Sequence, residues 1–468
     1  MSQHGQGTRR SFLKTMAASS AAVSVAATAL ADNVFELGRR EAPAQPTGPN
    51  DRIRIATIGM GIIGFIDTDT ALKVPGVELV AAADLYQGRR THAQEVYGKK
   101  VDVYVDYREI LGRKDVDAVL VCVPDHWHAT IAIDAMKAGK AVYCEKPMVR
   151  LVEEGAGIIA AQEQTKAVFQ VGSQYASSIL YDKVKELIDA GSIGPVNSIE
   201  ARYNRNSAIG AWQYSIPTDA SPQTIDWDRF VATTKKVPFD PVRFFRWRNY
   251  WDYGTAVAGD LFVHLLTGIH HVTGSLGPNR IAGMGGQRYW KDGRDVYDII
   301  MGLLDYPATH TNGGFTLALQ TNFEDGGGGD TMFRFVGSDG VINVSFTELT
   351  LSHVGIAPPK TNDVLKGYNS VRTFSNAEQK AFAEKYLAEH PTMATKAPSK
   401  ESTKYVVPKG YDERFDHFVN FFRSVRDKKP VYEDAVFGLR AAAPALLCNE
   451  SYRQNKILTW DPVTMKQG

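Results

Sequence analysis

One stretch constrains the fold more than any other: Ile53-Arg54-Ile55-Ala56-Thr57-Ile58-Gly59-Met60-Gly61-Ile62-Ile63-Gly64. A β-branched run feeds straight into G-x-G-x-x-G, so a strand ends in a glycine turn and a helix begins. Each glycine answers a different steric demand. Gly59 permits the tight turn, Gly61 lets backbone approach a diphosphate, and Gly64 lets the helix pack against the strand. The helix N-terminus at Ile62 and Ile63 then offers free N–H groups and a partial positive charge to phosphate. Asp84 ends the next apolar run, about where an acid accepts hydrogen bonds from an adenosine ribose. Its charge repels a 2′-phosphate, which favours NAD, while Arg89 and Arg90 keep NADP open. A glycine turn with no nucleotide is the alternative, and the strand context together with Asp84 weighs against it.

From residue 52 short apolar runs alternate with helical stretches, as in a parallel sheet with crossover helices. Strands are expected over residues 54–58, 77–83, 118–123 and 141–144, with 169–172 closing the domain. The second half changes character. Ile179, Leu180, Val184, Leu187 and Ile188 keep helical spacing up to the stop signal Gly191. Strands follow at 196–203, 299–304, 315–321, 333–336 and 341–344, joined by glycine-bearing turns. The fold class is therefore an α/β Rossmann domain with a parallel sheet (51–172), then a C-terminal α+β domain with a large, mainly antiparallel sheet (173–468). Residues 355–410 read as a polar surface insertion with one helix at 377–388. Phe415, Phe418, Val419, Phe422 and Val425 mark one face of a late amphipathic helix.

Charge excludes some partners. Lys+Arg 53 against Asp+Glu 52 leaves +1, no basic excess for nucleic acid or an anionic membrane. The three cysteines, Cys122, Cys144 and Cys448, form neither a disulfide framework nor a metal-ligand spacing. His126, His128, His270 and His271 also lack a ligand spacing, so no metal is expected. At the N-terminus, Thr8-Arg9-Arg10-Ser11-Phe12-Leu13-Lys14 is a twin-arginine pattern. An Ala-rich apolar stretch and Ala29-Leu30-Ala31 as an A-x-A cleavage site follow it. Residues 1–31 are expected to be a Tat signal peptide and 32–50 a linker, giving an exported, periplasmic protein that uses the Tat machinery. The apolar stretch is too short to span a bilayer.

Two further motifs sharpen the reading. Val121-Cys122-Val123-Pro124-Asp125-His126-Trp127-His128 and Tyr143-Cys144-Glu145-Lys146-Pro147 resemble signature stretches of the Gfo/Idh/MocA oxidoreductases. That family includes glucose–fructose oxidoreductase and inositol dehydrogenase. The resemblance covers nearly all of the chain after residue 50. It implies that Pro124, His128, Glu145 and Lys146 face the nicotinamide, with Lys146 near the reacting hydroxyl and Gln174 a polar contact. It also implies that Asp260 and His264 project into a substrate site, from Gly259-Asp260-Leu261-Phe262-Val263-His264. At i and i+4 of a helix the two would share one face. Phe262 stands where the family often has Gly, and Thr267 where it often has a further acid, so an acid-dependent substrate contact is expected to be missing.

The expected chemistry is hydride transfer between a sugar or polyol carbinol carbon and the nicotinamide. His264 is the expected general base, since imidazole titrates near neutrality. Lys146 would stabilise alkoxide charge, and Asp260 would orient His264 or hold a neighbouring hydroxyl. An exported enzyme has no free NAD supply, so the cofactor is expected to be tightly held. Phe244, Phe245, Trp247, Tyr250, Trp251 and Tyr253, interleaved with Arg243, Arg246 and Arg248, suit either a sugar ring or packing and a subunit interface. A homo-oligomer, dimer or tetramer, is expected. Two other functions stay open: an NAD-dependent glycoside hydrolase using transient C3 oxidation, and a catalytically silent sugar- or nucleotide-binding protein.

Overall fold

The structure is a computed structural model, described for residues 27–31, 33–40, 48, 52–309, 313–353, 360–390 and 401–468. The twin-arginine segment at 8–14 lies outside the described residues.

Six strands form one wholly parallel sheet, in the order Asp102–Tyr104, Val77–Ala83, Ile53–Ile58, Ala118–Val121, Ala141–Glu145, Phe169–Gly172. The chain adds strands outward on one side of Ile53–Ile58, then returns to add them on the other. The strand order therefore reverses beside Ile53–Ile58, and a crevice opens at the carboxyl ends of the central strands. Helices Ile62–Ala71, His128–Lys137 and Gly155–Thr165 are among the crossovers. Both faces of the sheet are covered, which is why its central strands read as continuous apolar runs.

One covering element comes from far along the chain. Helix Glu413–Asp427, capped by Asp412 accepting from Arg414 N at 3.0 Å, inserts Phe418, Phe421 and Phe422 into the cluster that holds Ile53, Ile55, Leu120 and Tyr143. Its residues fall within the expected second domain, yet its apolar stripe completes the core of the first. Truncating any of these buried rings to Ala would cost about 3–5 kcal/mol.

Among the described residues the second sheet has twelve strands. Val196–Tyr203, Phe315–Asn322, Ile299–Tyr306 and Arg280–Gly286 lie side by side at its centre. Two of its pairings are parallel: Val196–Tyr203 with Phe315–Asn322, and Glu401–Val406 with Val34–Leu37. Helices Val263–Thr273 and Ala435–Gln454 pack together, and the latter lies against Arg280–Gly286.

The structure adds to the expected elements in four places. Residues 34–37, read as linker, form a sheet strand with Leu37 fully buried, and Arg40 pairs with Asp182. The A-x-A residues lie in strand Ala27–Ala31, paired antiparallel with Val34–Leu37. The expected insertion supplies a strand, Glu401–Val406, as well as helix Asn376–Glu389, which buries nothing. Arg280–Gly286 was not expected as a strand, because Gly283, Gly285 and Gly286 carry no side chains to mark a period-2 pattern. Its glycines serve close packing instead: a Cβ at Gly283 would sit 2.2 Å from the Cys448 carbonyl oxygen on the helix above. Among the described residues no helix is long and apolar enough to cross a membrane.

Candidate active site

A cleft of about 320 Å³ runs from the carboxyl ends of the parallel strands to the second domain. At its first end the glycine loop behaves as the steric argument requires. Gly59 has φ +93°, and a Cβ there would lie 2.5 Å from the Cys122 carbonyl oxygen. A Cβ at Gly64 would lie 2.0 Å from Gly59 O, so Gly64 serves packing and does not line the cleft. A Cβ at Gly61 would meet only the end of the Arg89 side chain, at 3.9 Å. Helix Ile62–Ala71 starts there with no side-chain cap and no acid in its first turn, leaving N–H groups for an anion. Ile62 and Ile63 line this end, as do Pro124 and Asp84.

Asp84 is buried and partly committed. Its Oδ2 accepts from Met60 N at 2.8 Å and its Oδ1 from Tyr86 N at 2.9 Å, with Arg89 at 3.5 Å. The carboxylate thus fixes the glycine loop and still presents lone pairs to the cleft. Arg89 is held over the rings of Phe244 and Phe245.

At the other end Lys146 projects from the turn after Ala141–Glu145. Its Nζ donates to Asp260 O at 2.8 Å and to Asp260 Oδ1 at 3.1 Å, and Arg248 Nε donates to the same Oδ1 at 3.1 Å. Asp260 sits in a π-helical turn, Ala258–Phe262, that runs into helix Val263–Thr273. Such widened turns recur at functional sites. Gly259 is needed there, since a Cβ would meet Thr255 Cβ at 2.3 Å. Burial pushes the Asp260 carboxyl upward, but Lys146, Arg248 and Arg205 overcome it and hold its pKa well below the usual range. It is a carboxylate at neutral pH.

His264 follows on the same face. Its ring meets Tyr175 edge-on at 4.9 Å, and its buried Nδ1 has no hydrogen-bond partner among the described residues. Burial first, then Lys146, drives the imidazole pKa well below 6.5, so His264 is neutral with a lone pair available but is a weaker base than the expected near-neutral imidazole. Asp260 spends its Oδ1 on Lys146 and Arg248 rather than on His264, which corrects the expected orienting role.

Three other expected residues behave differently. His128 lines the cleft, but both ring nitrogens face carbonyl oxygens at 2.7 Å, of Val123 and Pro147. It ties the two signature loops together and offers no free nitrogen to a ligand. Thr267 is buried outside the cleft and donates to Glu433 Oε1 at 3.3 Å. Phe262 is likewise core. Gln174 does line the cleft, donating to Gly172 O at 2.9 Å and accepting from Arg414 Nη2 at 3.1 Å.

Several cleft residues were not among those expected from the sequence. Arg414 also reaches the buried Asp67 at 3.6 Å. Asp67 lies near Glu145, and burial followed by their mutual repulsion raises the Asp67 pKa well above the usual carboxylate range. Tyr175, Tyr203, Arg205, Trp212 and Tyr214 complete the second end. The rise of Tyr and Trp just after the expected strand 196–203 could have pointed to them. Of the aromatic–arginine run, Phe244, Phe245, Trp247 and Arg248 line the cleft. Tyr250 and Tyr253 are buried in a local core, so this run is not an exposed oligomer face.

The histidines first weighed as metal ligands have separate partners: His126 with Phe230 O, His270 with the Tyr306 hydroxyl, His271 with Asp182. Among the described residues no group of three His, Cys, Asp or Glu side chains is placed to hold a metal ion.

Comparison with known proteins agrees with this geometry. Residues 53–173 match the family model "Oxidoreductase family, NAD-binding Rossmann fold", and residues 185–463 match "Oxidoreductase family, C-terminal alpha/beta domain". The chain belongs to the Gfo/Idh/MocA oxidoreductase family. Its first domain is an NAD-binding Rossmann domain, and the loop, helix terminus and Asp84 fit that cofactor.

An inositol 2-dehydrogenase of Salmonella typhimurium is 30% identical over 175 residues, 37% of this chain and 50% of that protein. An α-N-acetylgalactosaminidase of Shewanella oneidensis is 34% identical over 175 residues, 34% of this chain and 37% of that protein. The chain thus spans about half the length, or less, of these curated relatives. Among solved structures, levoglucosan dehydrogenase in complex with NADH and L-sorbose superposes with a TM-score of 0.63 at 16% identity. That match covers 87% of this chain and 98% of that one. An oxidoreductase domain protein from Kribbella flavida gives 0.63 at 18% identity, with the same coverage. At these identities the structures share the fold.

Proposed function

We propose that this member of the family moves a hydride between the nicotinamide of NAD and a hydroxyl-bearing carbon of a sugar or polyol. The observation that carries the reading is the convergence of Lys146, Asp260 and His264 at one end of a cleft whose other end is the dinucleotide crevice. NAD, when bound, supplies the hydride acceptor or donor. Two of the three Lys146 N–H bonds go to Asp260, and the third is left for the substrate oxygen, where it stabilises alkoxide charge. Neutral His264 accepts the hydroxyl proton. Asp260 fixes Lys146 and Arg248. The rings of Tyr203 and Trp247 line the cleft and suit the C–H face of a sugar.

The twin-arginine pattern supports export by the Tat route after cytoplasmic folding around NAD, and a retained cofactor follows from the lack of free NAD outside. A homo-oligomer is also proposed. The outer face of the large sheet exposes Met284, Met301 and Leu303, and an apolar patch of that kind suits a second copy. A second reading, an NAD-dependent glycosidase that oxidises transiently and regenerates its cofactor, is favoured by the similarity to the Shewanella glycosidase.

The deciding experiment is to denature the purified protein and identify released nucleotide by mass spectrometry and absorbance. Near-stoichiometric NAD(H), followed by net cofactor reduction on a sugar panel, supports the oxidoreductase. Aglycone release without net reduction supports the glycosidase. No nucleotide and no binding of NAD or NADP on titration would leave a silent binding protein.

A further inference from the structure

The second end of the cleft has an unbalanced charge. Lys146, Arg205 and Arg248 face it, and one ionised carboxylate, Asp260, is shared by Lys146 and Arg248. The next carboxyl, Asp125, is pushed up to about 7 by burial and the Asp260 charge, so it carries about half a negative charge at neutral pH and leaves the excess positive. Arg414 is met by the buried carboxyls of Asp67 and Glu145.

Arg205 carries the excess. Its Nη1 donates to Gly210 O at 2.9 Å, and its guanidinium lies over the rings of Tyr203 and Phe323 at 5.4 and 5.5 Å. Among the described residues no carboxylate forms an ion pair with it. It is near enough to Asp260 and His264 to depress the pKa of both, so its charge is felt at the reacting end. Arg89, by contrast, lies beside Gly61 in the dinucleotide crevice.

The loop holding Arg205 is braced. Trp212 keeps φ +68° while fully buried edge-on against Phe323, and Arg294 Nη2 donates to Ala211 O. Positive φ in a bulky residue persists only where packing over-determines it.

A neutral sugar would leave this excess uncompensated, and oxidised nicotinamide adds another positive charge beside it. Guanidinium forks match the two oxygens of a carboxylate, and the aromatic wall suits the ring that bears it. We infer that the substrate is an acidic sugar, a uronic or aldonic acid, whose carboxylate is held by Arg205 with help from Arg248. This rests on the oxidoreductase reading and narrows its substrate class.

The test uses the full protein loaded with NADH. D-Glucuronate, D-galacturonate and D-gluconate are titrated by calorimetry beside D-glucose, D-galactose and D-glucitol, with D-glucose 6-phosphate as the phosphate arm. At least one acid should bind about tenfold tighter than its neutral counterpart, and the preference should shrink as salt rises. Arg205→Gln should remove the preference while NADH affinity stays at the wild-type value. Acids that bind no better than neutral sugars, or not at all, overturn the inference. So does a preference that survives Arg205→Gln, or tighter binding of the phosphate than of every acid. If NADH binds and the acids do not, the oxidoreductase reading stands. If NADH itself fails to bind, both fall.

Discussion

Gly61→Ala separates cofactor binding from folding. Gly61 has φ −80° and ψ −167°, which alanine adopts without strain. A Cβ there would have its nearest neighbours at 3.9 Å, ordinary van der Waals contact with the end of the flexible Arg89 side chain. The fold therefore loses nothing, and the smaller unfolded-state entropy adds about 0.4–1 kcal/mol of stability. The same methyl would stand between the backbone N–H groups and a bound diphosphate. Losing one charge-assisted hydrogen bond costs about 1.5–3 kcal/mol, so NADH affinity should fall roughly 10- to 150-fold. Thermal unfolding and NADH titration of one preparation provide the assay. NADH affinity within twofold of wild type would refute the close-approach argument, and a fall in Tm would refute the steric one. Gly64→Ala is the contrast. With a Cβ 2.0 Å from Gly59 O it should lose stability and cofactor together.

Lys146→Ala should cut turnover by about 10²–10³, the usual cost of removing one oxyanion donor, with NAD binding intact by titration. His264→Ala should reduce turnover by about 10²–10⁴, read as initial rates of NADH formation. Gly283→Ala should lower Tm by several degrees, because its Cβ would collide with the helix backbone at Cys448 O. Asp125 gives a pH signature. Its folded pKa of about 7 exceeds the unfolded 3.8, so the folded state binds more protons between those values. Its contribution to stability is complete below pH 3.8 and is lost as pH rises through about 7. Asp125→Asn should flatten that part of the pH profile of urea midpoints, and an unchanged profile would count against a buried, proton-holding Asp125.

The parts of this protein that could be read from the chain alone are those whose cause is local. The glycine loop was legible because each glycine meets a demand set within a few residues of it. Val196–Tyr203 and Phe315–Asn322 were legible because period-2 alternation records one buried face. Lys146, Asp260 and His264 came from short motifs. What neighbouring residues do not encode is the partner across the fold. The Asp260 carboxylate went to Lys146, 114 residues away, and to Arg248 instead of the nearby His264. Helix Glu413–Asp427 was visible as an amphipathic stripe, yet nothing in that stripe named the first domain's sheet as the surface it covers. Arg280–Gly286 showed no strand pattern, because three of its residues are glycines against which helix Ala435–Gln454 packs, and Arg205 was one arginine among many until packing left it unpaired in the cleft. Periodicity and glycine sterics act over a few residues and are written in sequence. Burial, ion pairing and pKa depend on which distant segments the packed core brings together.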